Sequence, residues 1–275
     1  MSRSLSAVFS PQKYKPALMD CGETDCEELW QKNHVWFLSN MAHIAYFEEE
    51  KIKTFMDPLG ATTFFHDIDG AQAFLAVWEN RAILSFRGSQ PLENAAANTE
   101  RLGFFSSFRI SRFHGIQLDP HSLRFLSNDV LADLSFRKTG FNGMENIKVH
   151  SGFLGEFNKI WRPISENINE HVRNMPIWVT GHSLGGALAT LAGMSYAFES
   201  VITFGEPRVG FHIDMAFKAK NHIRYVNGDD PVTKVPPELL FGYDHHGEVA
   251  RVRNKDGRTD FRYDHSIVYY SENLS

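Results

Sequence analysis

From residue 27 to residue 47 the apolar positions Leu29, Trp36, Leu38, Met41, Ala42 and Ala45 recur at spacings of three, four and seven, which predicts an amphipathic helix with one buried face. The pattern then shortens. Residues 73–78 and 81–86 are apolar runs on either side of Glu79-Asn80, and they predict a hairpin or two neighbouring strands. Residues 176–180 form a β-rich run that enters Gly181, and the Ala- and Leu-rich stretch 184–197 after it is a strong helix former. Two more strand signatures follow, at 200–204 and 222–226, ending at Gly205-Glu206-Pro207 and at Asn227-Gly228-Asp229-Asp230-Pro231. Strands alternating with helices predict an α/β fold in which helices cover both faces of a mostly parallel sheet. In such sheets functional groups collect beyond the carboxyl ends of the strands, and the breaks at 181, 205 and 227 all fall there.

With 275 residues the chain can bury a sizeable core, and α/β folds of this size commonly form one domain, so residues 1–275 are read as one unit with a helical segment over 1–60. An apolar fraction of 43% and a charged fraction of 22% exclude a disordered chain or a disulfide scaffold. A net charge of -5 without a long Lys/Arg run gives no footprint for nucleic acid and little attraction to an anionic membrane surface, while neutral lipid stays open as a partner. The first twenty residues hold no apolar stretch of signal-peptide length, and no run reaches transmembrane length. The expected location is therefore cytoplasmic, with leaderless export left open. Cys21 and Cys26 fit free thiols about as well as a small disulfide loop.

The chemistry centres on Gly181-His182-Ser183-Leu184-Gly185. A serine on a sharp strand-to-helix turn adopts strained backbone angles, and small residues two positions before and after it keep the turn clear of the neighbouring strand and helix. Gly181 and Gly185 occupy those positions, between a β-rich run and an Ala/Leu helix. Ser183 is thus the candidate nucleophile.

With this elbow in its sequence context, VTGHSLGGALA at 179–189, SFRGS at 85–89, KVHSGFL at 148–154, ITFGEPRVG at 202–210, DPVTKVPP at 230–237 and DHSIVYY at 264–270 together resemble the class 3 lipase family. The resemblance runs from about residue 82 to the C-terminus. It implies an α/β-hydrolase fold and hydrolysis of acyl esters such as acylglycerols, with a lipid or other acyl ester as substrate and no cofactor or metal. It also implies the site residues: Ser183 as nucleophile, Asp230 as acid and His265 as base, in the chain order usual for these hydrolases. Asp229 competes for the acid's place, and His245-His246, among thirteen histidines, lies between the acid and His265 in a segment read as a loop. His182 is expected to line the turn, and Thr233 departs from a proline common there. The oxyanion hole is expected from the backbone N–H groups of Leu184 and Ser89. A feruloyl or short-chain esterase, a phospholipase, or a non-catalytic scaffold of the same fold are the alternatives.

Compared with the family pattern, the chain is long after Ser89: Asp129-Val-Leu-Ala-Asp133-Leu134 comes some forty residues later. The inserted residues, 91–126, include Phe104, Phe105, Phe108, Phe113 and Phe125 among Arg101, Arg109, Arg112 and Arg124. They are expected either to bury these aromatics as an extra layer or to form a lid that makes transient contact with a lipid interface.

Overall fold

A computed structural model describes residues 10–20, 25–89, 137–255, 257 and 260–275. The insertion expected over 91–126, the Asp129–Leu134 sequence and Cys21 lie outside the described residues.

Among the described residues seven strands make the central sheet: β1 (Thr62–Ile68), β2 (Ala71–Val77), β3 (Ala82–Phe86), β6 (Ile177–His182), β7 (Ser200–Phe204), β9 (His222–Asn227) and β10 (Glu248–Val252), side by side in that order. The first three are antiparallel, and β3 through β10 run parallel. β4 (Lys138–Phe141), β5 (Met144–His150) and β8 (Gly210–Phe211) form a small antiparallel sheet. The hairpin expected between residues 73 and 86 is β2–β3. Five helices matter here: α1 (Cys26–Ile44), α2 (Glu49–Met56), α3 (Ser151–His171), α4 (Leu184–Ser195) and α5 (Ile267–Leu274).

Strand side chains alternate between faces, and the alternation assigns the two cores. Ala73, Leu75, Leu84, Phe86, Val179 and Val201 pack with α3 and α4 on one face. Phe74, Ala76, Ile83, Ile202 and Phe204 pack with α1, α2 and α5 on the other. Along α3 the buried residues Phe153, Phe157, Ile160, Ile164 and Ile168 fall at spacings of three and four, one stripe of an otherwise polar helix. Each contributes about 1.5–3 kcal/mol by leaving water. α4 is buried along nearly its whole length, which its Gly and Ala residues permit by letting it lie close to the sheet.

The helix expected over 27–47 is interrupted. Asn33 has non-helical angles (φ −160°, ψ 79°), and its side-chain Oδ1 accepts the backbone N–H of Trp36 at 2.9 Å. An asparagine in that arrangement caps a new helical stretch, so the element is two helical pieces that share the apolar face. The second piece carries Trp36 to Ile44 into the core and delivers Tyr46 to the sheet's carboxyl edge.

The strands on which the site depends end at a common level. Phe86 of β3 is paired with Gly181 of β6, Gly181 with Thr203 of β7, and Phe204 with Tyr225 of β9. The loops that follow therefore converge.

Candidate active site

Ser183 stands between the end of β6 and the start of α4 with φ 57° and ψ −127°, a left-handed conformation that costs a non-glycine residue on the order of 1–3 kcal/mol. Its surroundings hold it there. The Ser183 N–H donates to the Phe204 carbonyl at 3.0 Å, and the Ser183 carbonyl accepts from Gly186 N–H at 2.9 Å. A Cβ at Gly181 would overlap the Gly185 carbonyl, and one at Gly185 would overlap the backbone of Phe86 and Arg87. The glycines that flank the serine are thus needed for close approach of strand, turn and helix.

His265 lies between Ser183 and Asp230. Its Nε2 is 3.0 Å from Ser183 Oγ, and its Nδ1 is 3.0 and 2.9 Å from the two carboxylate oxygens of Asp230. A carboxylate accepts, so Nδ1 carries the proton and Nε2 presents its lone pair to the serine hydroxyl. Asp230 is fully buried and follows β9. Its Oδ1 also accepts the Val232 N–H at 2.9 Å and its Oδ2 the Tyr270 hydroxyl at 2.8 Å. Three kinds of donor thus compensate the burial of this carboxylate. Thr233 donates its hydroxyl to the Asp230 carbonyl at 2.8 Å, so the residue that departs from proline ties down the same turn.

Asp229, one residue earlier, points elsewhere. Its side chain is 65% exposed and lies 3.7 Å from Lys234 Nζ. Its N–H donates to Asp264 Oδ2 at 2.8 Å. His245 and His246 also stay away from the serine. His245 Nε2 donates to the Thr233 carbonyl at 2.7 Å, and burial pushes its pKa down to about 4. His246 Nδ1 is 2.9 Å from His222 Nδ1, and burial together with the neighbouring His222 brings its pKa to about 4.

Leu184 is the first residue of α4, where backbone N–H groups lack intrahelical partners. The approach of Gly185 to Phe86 and Arg87 sets the end of β3 against the elbow, and Ser89 follows two residues later, partly exposed. This places the two expected oxyanion donors on adjoining segments. Backbone N–H groups on such a turn can receive the charge of a tetrahedral intermediate.

Two tyrosines at the site were not singled out from sequence. Tyr270 reaches Asp230 from α5, and its hydroxyl accepts the Asn227 N–H at 2.9 Å, while burial raises its pKa. Tyr46 reaches His182 from the end of α1. Both lie in apolar stretches, and only the tertiary fold brings them to their partners.

Residues 123–240 match the family model described as Lipase (class 3), a span that includes Ser183 and Asp230 but stops short of His265. Lipase A of Sodiomyces alcalophilus is 32% identical over 136 residues, which cover 41% of this chain and 32% of that protein. The secreted mono- and diacylglycerol lipase 1 of Fusarium solani is 37% identical over 112 residues, covering 35% and 32%. The lipase of Rhizomucor miehei is 32% identical over 144 residues, covering 47% and 39%. The chain thus spans between about a third and two fifths of the length of these curated relatives. Among solved structures, the Rhizomucor miehei triacylglyceride lipase superposes with a TM-score of 0.56 at 18% identity, over 83% of this chain and 81% of that one. A triacylglycerol lipase described as having a serine protease triad at its catalytic centre superposes with a TM-score of 0.55 at 20% identity, over 81% and 80%. At these identities the likeness establishes the fold, and it is the α/β-hydrolase fold.

Proposed function

We propose that this chain, a member of the class 3 lipase family, hydrolyses carboxylic esters of the acylglycerol type through an acyl-enzyme on Ser183. The observation that carries the reading is the continuous hydrogen-bonded arrangement from Ser183 Oγ through the imidazole of His265 to the buried carboxylate of Asp230. His265 takes the hydroxyl proton as Ser183 Oγ attacks the ester carbonyl. The N–H groups of Leu184 and Ser89 stabilise the oxyanion, and Asp230 stabilises the imidazolium. His265 then protonates the departing alcohol, and water activated by the same imidazole releases the fatty acid. Protein groups alone account for each proton transfer.

The same reading gives residues 91–126 the part of a lid that meets lipid. Its support is the run of phenylalanines and arginines in the sequence directly after Ser89. One experiment tests both parts: hydrolysis of nitrophenyl esters of increasing acyl length, below and above the concentration at which they form micelles. The wild type should turn over these esters, Ser183→Ala should lose nearly all turnover, and the rate should rise on micellar ester. Replacing Phe104, Phe105 and Phe108 by polar residues should lower that rise without abolishing hydrolysis of a short soluble ester. Turnover by Ser183→Ala within a few-fold of wild type contradicts the first part, and an unchanged micellar-to-monomeric ratio contradicts the second.

A further inference from the structure

His182 takes no part in these proton transfers, yet it is only 2% exposed and both its ring nitrogens are engaged. Nε2 lies 2.6 Å from the backbone carbonyl of His265, and Nδ1 lies 2.8 Å from the Tyr46 hydroxyl. A carbonyl oxygen only accepts, so Nε2 carries a proton. Burial, reinforced by the His265 ring tilted against it with centroids 4.6 Å apart, holds the pKa of His182 well below the usual range and keeps the ring neutral. Nδ1 is therefore a lone pair, and the tyrosine hydroxyl donates to it.

Tyr46 is fixed from two sides. Gln72 Nε2 donates to the carbonyls of Ala45 at 2.9 Å and Phe47 at 2.7 Å, the residues that flank Tyr46. The Gln72 amide oxygen accepts from Arg87 Nη1. Gly88 backs onto the Tyr46 hydroxyl so closely that a Cβ there would overlap it. Arg87 and Gly88 are also the residues that lead from β3 to Ser89. One chain of contacts therefore runs from the oxyanion loop through Tyr46 and His182 to the backbone of the catalytic base.

We propose that Tyr46 and His182 form a positioning pair, in which the Tyr46 hydroxyl selects the Nε2–H tautomer of His182 and that N–H holds the His265 carbonyl, setting the imidazole at its distance from Ser183. The other tautomer would turn a lone pair toward the carbonyl at 2.6 Å, a repulsive contact relieved only by moving the backbone of His265. The inference rests on the acyl-enzyme reading above, and it accounts for why the elbow carries a histidine beside its serine.

The test is a double-mutant cycle in the full chain, read on a short soluble ester. Tyr46→Phe keeps the ring and removes the donor, so kcat should fall about tenfold, the scale of one buried hydrogen bond, with KM within about twofold. In a His182→Gln background, itself slower than wild type by a few-fold, the same change should alter kcat by less than about twofold. An amide can turn its NH2 to the His265 carbonyl without a tautomer to select. An equal fold-loss in both backgrounds overturns the proposal, because it makes Tyr46 a packing residue. Nitrogen NMR of the histidines in the wild-type protein is the second measurement, and it does not depend on activity. It should show His182 protonated at Nε2 alone near neutral pH, and a proton on Nδ1 overturns the proposal. Absence of ester hydrolysis by a wild type that shows the expected tautomer would contradict the acyl-enzyme reading and leave the hydrogen-bond assignment supported.

Discussion

Two adjacent aspartates show how position decides chemistry. Asp230 is fully buried, accepts hydrogen bonds from His265, Val232 and Tyr270, and orients the imidazole, whereas Asp229 lies in solvent beside Lys234. Asp230→Asn should lower kcat by about 10⁴, since an amide in that place favours the wrong tautomer of His265. Asp229→Asn should change kcat by less than a few-fold. Steady-state rates of the two variants at matched stability check this, and a larger loss at Asp229 would contradict the assignment of the acid. Ser183 was singled out from its own strand-to-helix turn, and Asp230 and His265 through motifs that resemble those of the class 3 lipases; the fold brings the three side chains within hydrogen-bond distance of one another. Tyr270 and Tyr46 were not, because their partners are 40 and 136 positions away and no local pattern records such a contact.

Among the elements, the elbow is the one with least tolerance. Gly185→Ala would drive a Cβ into the Phe86 carbonyl, and neither backbone has room to yield, so the variant should lose at least about 1–3 kcal/mol together with most of its activity. Gly155→Ala is the opposite case. Gly155 is exposed on α3 with nothing within 4 Å of an added Cβ, so the substitution should stabilise the protein by about 0.5–1 kcal/mol and leave turnover unchanged. Melting temperatures and ester rates of both variants test the contrast, and it fails if Gly185→Ala is as stable as wild type. Element patterns were readable in β2, β3, β6, β7 and β9, whose apolar runs are buried between two helical layers. They were not readable in β1 and β10, the two edge strands, where half-exposed residues leave no clean alternation. The break at Asn33 escaped a periodicity reading because the apolar face continues across it.

For the molecule as a whole, the buried histidines link stability to pH. His43 is 1% exposed, donates through Nε2 to the Pro11 carbonyl, and is pushed down by burial to a pKa of about 4. His245 is lowered to about 4 as well, and burial holds His182 well below the usual range. In the unfolded chain these rings take up protons near pH 6.5, so the unfolded state binds more protons than the folded one between about pH 6.5 and 4. Stability should therefore fall as pH drops through that window, on the order of 2 kcal/mol at pH 5 for fully buried His43. Glu206, buried and held ionised by His222 against the cost of its burial, acts in the same direction at lower pH. Urea unfolding at pH 7 and pH 5 measures the loss, and His43→Gln should reduce it. Equal stability at the two pH values would contradict the neutral, buried assignment.

Covalent labelling asks of the protein itself whether Ser183 is the nucleophile and His265 its base. The protein is treated with an organophosphonate ester mimic, digested, and mapped by peptide mass spectrometry. The adduct should lie on Ser183, be absent from Ser183→Ala, and form slower by orders of magnitude in His265→Ala. An adduct on another serine, or labelling of Ser183 at an undiminished rate without His265, would contradict it.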